Sequence, residues 1–109
     1  MGDSIYKICG EDEWRAAEAA GVYSGNADDA RDGFIHLSAA DQVAGTLARH
    51  YADRTGLLLV AVDPAALGDA LKWEASRGGA LFPHLYGPLP LDAVVEVRPI
   101  GPSDAEPGT

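Results

Sequence analysis

Leu81-Phe82-Pro83-His84-Leu85-Tyr86-Gly87-Pro88-Leu89-Pro90-Leu91 packs two aromatic residues, a histidine, three prolines and a glycine into eleven positions. Proline fixes its own φ and pushes the preceding residue towards an extended conformation. Phe82 should therefore run extended into Pro83, and Gly87-Pro88 should turn the chain. Three prolines exclude a helix, and they argue against a central strand. The segment reads as a rigid connector that presents His84 and Tyr86, two residues apart, to one side. Such a segment suits a pocket wall. It equally suits a packed connector whose His84 satisfies buried backbone groups.

Working outward, Ala70-Leu71-Lys72-Trp73-Glu74 alternates as a strand with Lys72 and Glu74 opposite Leu71 and Trp73. Arg77-Gly78-Gly79 turns the chain. Asp92 to Ile100, carrying Val94, Val95 and Val97, is the last strand. Gly56-Leu57-Leu58-Leu59-Val60-Ala61-Val62 is a continuous apolar run of strand length, so it is read as the central strand, covered on both faces. Asp63-Pro64 caps a single helical turn to Leu67. Near the start, Ser4-Ile5-Tyr6-Lys7-Ile8-Cys9 forms a strand with Ile5, Lys7 and Cys9 on one face. Glu11-Asp12-Glu13 places carboxylates at the N-terminus of a helix over Trp14 to Ala20, closed by Gly21.

Val22-Tyr23 is a brief strand, and Ser24 to Asp32 reads as a polar loop long enough to be a flap. Gly33-Phe34-Ile35-His36-Leu37-Ser38 reads as a strand with Phe34, His36 and Ser38 on one face. Ser38-Ala39-Ala40-Asp41 resembles a capping box. The stripe of Val43, Leu47 and Tyr51 then predicts a helix to about Asp53, with His50 structural near its end. Residues 1–100 form one domain and residues 101–109 a disordered tail. The expected class is α+β: a compact domain with two helices on a mixed or split, strongly bent sheet. A cleft between two half-sheets is a natural ligand site.

The 109 residues carry a net charge of −9 and a single cysteine, Cys9. No internal disulfide can form, which points to a reducing, cytoplasmic setting. The eight basic residues are scattered. Stable nucleic-acid binding and attachment to an anionic membrane need clustered Lys and Arg, so neither is expected. No apolar run approaches the roughly 20 residues that span a bilayer. A small-molecule ligand with one or two phosphates remains compatible, because a single placed Arg or Lys can hold it.

The chemistry-bearing groups are Lys7, His36, Glu74 and His84. Histidine serves as acid or base near neutral pH. A carboxylate beside Trp73 would have a raised pKa, or would hold a hydroxyl or stabilise positive charge; Glu74 also fits a solvated strand position. His36, His84 and Glu74 would together suit a metal-dependent enzyme, although no paired-ligand spacing supports it. Cys9 has no base placed near it in sequence and reads as a buried structural thiol. The glycine-rich patterns of Rossmann and P-loop sites are absent.

Ile5-Tyr6-Lys7-Ile8, the block from Gly33 to Ser38, Trp73-Glu74 and the block from Phe82 to Gly87 together resemble the small bacterial domain-of-unknown-function family numbered 952, over roughly residues 4 to 100. That family is similar in fold to the ADP-ribosyltransferase superfamily, whose members bind NAD between two small sheets. The resemblance implies NAD as co-substrate and Lys7 in the position that holds a ribose hydroxyl. It puts His36 beside the nicotinamide, and His84 or Glu74 in the position that orients the ribose for cleavage. The sequence expectation is thus a catalytic set of His36, His84 and Glu74, with Lys7, Ser38 and Tyr86 binding substrate. The alternatives are a non-catalytic module that recognises a nucleotide or small metabolite, a metal-dependent enzyme using His36, His84 and Glu74, and a structural or partner-binding domain whose histidines are core residues.

Overall fold

In the computed structural model, which describes residues 4–52, 54–76 and 79–100, the chain runs β1 (Ile5–Gly10), α1 (Glu11–Ala20), β2 (Val22–Tyr23), α2 (Ala27–Asp32), β3 (Ile35–His36), β4 (Ser38–Ala39), α3 (Val43–His50), β5 (Leu57–Val62), β6 (Leu71–Ala75), β7 (Leu81–Leu85), β8 (Leu89–Pro90) and β9 (Val94–Pro99). Short 3₁₀ turns occupy Ala40–Gln42, Pro64–Ala70 and Leu91–Ala93. The class is α+β, and the sheet is split. Four strands run in the order β4-β1-β5-β9, three in the order β3-β7-β6, and β2 pairs with β8. Every pairing among the described residues is antiparallel, so the split expectation holds and the mixed one does not.

β5 is the doubly covered strand that its apolar run predicted, with all six residues buried. Leu58, Val60 and Val62 face the main core with Ile5, Cys9, Trp14, Tyr23, Leu85 and Leu89. Leu57 and Leu59 face a second core built with Ile8, Val43 and Leu47 from β1 and α3. α1 starts at the acidic trio and ends on Gly21, whose left-handed φ of 84° lets its N–H reach the Ala17 carbonyl at 2.8 Å. Asp63 caps the following turn by accepting from the Ala65 N–H at 3.0 Å. That turn continues to Ala70, past Leu67, through a kink at Gly68.

Four expectations are corrected. Ser24 to Asp32 is not wholly a loop, because α2 occupies its second half. The described residues therefore form three α-helices, not two. Gly33 to Ser38 is not one strand: β3 pairs with β7, and β4 pairs with β1. Ser38 is not the helix cap; it is buried in β4, and the cap lies one residue later, where the Ala39 N–H donates to Gln42 Oε1 at 2.9 Å.

The fourth correction concerns Pro83, which lies in the central strand of the three-stranded sheet. Its carbonyl accepts from the Leu37 N–H at 3.1 Å. In a strand, one residue's N–H and C=O point to the same neighbour. The missing donor of Pro83 therefore faces the β3 side, just beyond the two-residue ladder of Ile35 and His36. The β6 ladder loses nothing.

The tail at 101–109, the turn residues Arg77 and Gly78, and Asp53 lie outside the described residues; the helix expected to reach about Asp53 ends earlier, at His50, with Tyr51 as its C-cap. No helix among the described residues is long and apolar enough to cross a membrane.

Ile5 is 2% exposed and belongs to the main core. Ile5→Ala should lower the unfolding free energy by about 2–5 kcal/mol, the usual cost of emptying such a site. Urea denaturation followed by circular dichroism measures it, and a change below about 1 kcal/mol would contradict this packing.

Candidate functional site

α2 exists to deliver Asp29. The Asn26 side chain accepts from the Asp29 N–H at 2.9 Å, and Asp29 Oδ2 accepts from the Asn26 N–H at 2.9 Å. This reciprocal cap fixes the first turn of a six-residue helix too short to stand alone. A Cβ at Gly25 would come within 2.7 Å of the Asp29 side chain, and Gly25 has a φ of +100°. Both facts restrict that position to glycine. Gly33, at φ 85°, ends the helix and turns the chain into Phe34.

Asp29 then collects donors from three directions. Lys7 Nζ donates to its Oδ2 at 2.8 Å, and the two side chains are only 3% and 2% exposed. The His36 N–H donates to Oδ1 at 3.0 Å, and His36 Nδ1 meets the same oxygen. Burial alone would raise the Asp29 pKa, but the His36 and Lys7 contacts outweigh it and hold the carboxyl down at about 2. Lys7 also donates to the His36 carbonyl at 3.1 Å. Its ammonium is thus engaged inside the protein.

A second cluster lies across the β3–β7 ladder, where His36 and His84 sit opposite each other. His84 Nδ1 lies 2.8 Å from Glu74 Oε1, and the Tyr86 hydroxyl donates to the same oxygen at 2.8 Å. The His84 contact, then that of Tyr86, lowers the Glu74 pKa. The raised value expected from a Trp73 neighbour is thereby overturned. Strand alternation sends Trp73 to the opposite face, where it is 46% exposed. Phe34 joins the two clusters. Its ring stacks on His84 with centroids 4.0 Å apart at 23°, and lies 4.7 Å from His36 and 5.3 Å from Tyr86.

A cleft of about 970 Å³ is walled by Lys7, His36, Ser38, Tyr51, Arg54 and His84 among others. The structure therefore brings His36, His84, Glu74 and Tyr86 together, with the two imidazole centroids 5.9 Å apart. Glu74 and Tyr86 stand outside the cleft wall and connect to it through His84. Ser38 lines the cleft, but its hydroxyl bonds Thr46 Oγ1 at 3.2 Å. His50 lies on the cleft wall as well. Cys9 is buried, and burial is the main cause pushing its thiol up to about 12. Among the described residues, no three His, Cys, Asp or Glu are gathered to hold a metal ion, so His36, His84 and Glu74 do not form such a set.

Sequence reasoning missed Asp29, Arg31 and Asp32. The available signal was Asn26 three residues before Asp29, a cap spacing, with Gly33 at the far end as a helix stop.

Residues 8–97 match the family described as "Protein of unknown function (DUF952)", and the chain belongs to that family. The fold is similar to the crystal structure of protein CC0527 from Caulobacter crescentus. Sequence identity is 49%, with 90% of this chain and 86% of that chain covered, and the TM-score is 0.87. Against the solution NMR structure of CC0527 the values are 47%, 93%, 89% and 0.79. No match was found among curated proteins.

Asp29→Asn leaves the buried Lys7 ammonium without its counter-charge and should cost about 3–5 kcal/mol. Lys7→Met should cost less, because Asp29 keeps the Asn26 and His36 donors. The pH dependence has a definite sign. Asp29 is more acidic folded than unfolded, so its contribution is complete above the ordinary carboxylate pKa near 4. It is lost as pH falls through about 2. The stability gap between the native chain and Asp29→Asn should therefore narrow over that window. Chemical denaturation at a series of pH values tests this, and a constant gap would contradict it.

Proposed function

We propose that the cleft binds NAD or an ADP-ribose-like nucleotide and that the protein is a transferase of the ADP-ribosyltransferase type, with a distant likeness to that fold. The observation that carries this reading is the contiguous cluster of His36, Phe34, His84, Tyr86 and Glu74, whose two imidazoles reach the cleft wall and whose other members back them from outside it. Aromatic and imidazole faces at this spacing offer a stacking surface for a nicotinamide ring. Glu74 carries ionised character beside them, with both of the hydrogen bonds it makes among the described residues on Oε1. Oε2 is then the oxygen offered to a ribose hydroxyl. When the ribose C1′–nicotinamide bond breaks, positive charge develops on the sugar, and a fixed carboxylate stabilises it. The bonding pair leaves with nicotinamide, and an acceptor nucleophile takes C1′.

Lys7 has a different role in this reading from the one its position implied. Its ammonium is spent on Asp29 and the His36 carbonyl, so it supports the site from within and does not touch the ribose. That same observation favours a second reading, a module that binds the nucleotide without turnover.

Differential scanning fluorimetry with NAD, ADP-ribose and nicotinamide tests the binding. A ligand at about a hundred times its Kd adds about 2.7 kcal/mol to the native state, which reads as a clear rise in Tm. Nicotinamide release from NAD then tests the chemistry. Glu74→Gln should keep the Tm shift and lose about 10²- to 10³-fold in release, the scale of one electrostatic partner of a transition state. Binding without release in the native chain would select the module, and no shift with any of the three would remove both readings.

A further inference from the structure

Asp32, the last residue of α2, is gripped by two basic side chains. Its Oδ2 lies 2.9 Å from His36 Nε2 and 3.3 Å from an Arg31 amino nitrogen, and its Oδ1 accepts from Arg31 Nε at 3.0 Å. One carboxylate thus spans a guanidinium fork and an imidazole nitrogen, the donor geometry that also receives phosphate oxygens. The far side of the imidazole is fixed, because Nδ1 and the His36 backbone are both tied to buried Asp29. Nε2 therefore keeps its aim whatever occupies the position in front of it. Arg31, Asp32 and His36 all line the large cleft.

The contrast between the two aspartates is the telling feature. Asp29 is held by four contacts and is 2% exposed, whereas the Asp32 side chain is 33% exposed and meets only Arg31 and His36 among the described residues. Exposed ion pairs hold weakly, and a multiply charged anion competes with them. Arg31 has a second carboxylate, Asp28, at 3.2 Å, so it stays at the rim when Asp32 turns away. With Asp32 out, Arg31 keeps Asp28 and His36 keeps Asp29, and Glu13 is a further carboxylate on the cleft wall.

The geometry points to an anion seat, made by His36 Nε2 and the Arg31 guanidinium and filled by the chain's own Asp32, that receives a phosphoryl group of the ligand once Asp32 rotates out. This rests on the nucleotide reading above and assigns the pyrophosphate end of that ligand to the α2 rim. It also makes Asp32 a built-in competitor, so binding is weaker than the donors alone would allow.

Calorimetric titration of the full chain with inorganic pyrophosphate and, separately, with ADP-ribose tests the seat. Asp32→Asn should bind pyrophosphate at least tenfold more tightly than the native chain. Asp28→Asn removes the same charge from Arg31 without touching His36 and should gain less than threefold. Adding Arg31→Met to Asp32→Asn should abolish the gain, and as an exposed residue Arg31 puts little of the fold at stake. If Asp32→Asn melts early, Asp32→Ser supplies the same readout. Unchanged or weaker pyrophosphate binding in the folded Asp32 variant overturns the seat, and so does an equal gain in Asp28→Asn. ADP-ribose separates the two ideas. Tighter pyrophosphate with no ADP-ribose binding removes the nucleotide and keeps the seat, while ADP-ribose binding indifferent to Asp32 does the reverse.

Discussion

An ammonium and a carboxylate taken out of water together cost several kcal/mol per ion unless other groups complete their hydrogen bonding. Lys7 and Asp29 meet that demand by recruiting the backbone around them. Asp29 takes N–H groups from Asn26 and His36, and Lys7 takes the His36 carbonyl. One buried pair thereby ties β1, α2 and β3 to a common point. The six-residue α2 has no apolar stripe to hold it, and this pair anchors it to the domain. The orientation of His36 follows from the same contacts, so the site inherits its geometry from an interaction that a ligand need not touch.

The two halves of the candidate site differ in how they hold their imidazoles. His36 is oriented from inside the protein, by a carboxylate that is buried and strongly acidic. His84 is oriented from the rim, by Glu74 and through it Tyr86, both substantially exposed. Phe34 packs against both rings and makes them one surface. A change at Asp29 therefore acts on the fold and the site together, while a change at Glu74 acts mainly on the site.

Much of the scaffold was legible in the sequence. The apolar run at 57–62, the acidic start of α1 and the Asp63-Pro64 cap each carry a local cause that tertiary structure left in place. The face assignment of β1 was also readable from alternation, which put Lys7 on the face of Ile5 and Cys9. What alternation does not supply is distance from the core. Trp73 shares its face with Leu71 and Leu85, yet it lies far enough along the β6–β7 pair to be half exposed. α2 was invisible to periodicity because its partners are polar and distant in sequence. The two histidine blocks pointed to the right residues, but the aspartates that control His36 sit in a stretch that composition alone marks as loop.

Pro83 shows how a rule about backbone donors depends on direction. Proline is excluded from a central strand only where the neighbour that its N–H would face needs that donor, and here the lost donor falls where β3 has already ended. The ladder cannot zip further along β7, so the chain leaves at Leu37 and is paired with β1 by Ser38. Leu37 is thus a one-residue seam through which the two sheets share a continuous chain. In mechanical language, the cleft is a jaw whose hinge pin is set by covalent length. Its back cannot widen without breaking strand pairing on one side, so any adjustment to an occupant falls to the α2 lip and the far end of the β6–β7 hairpin.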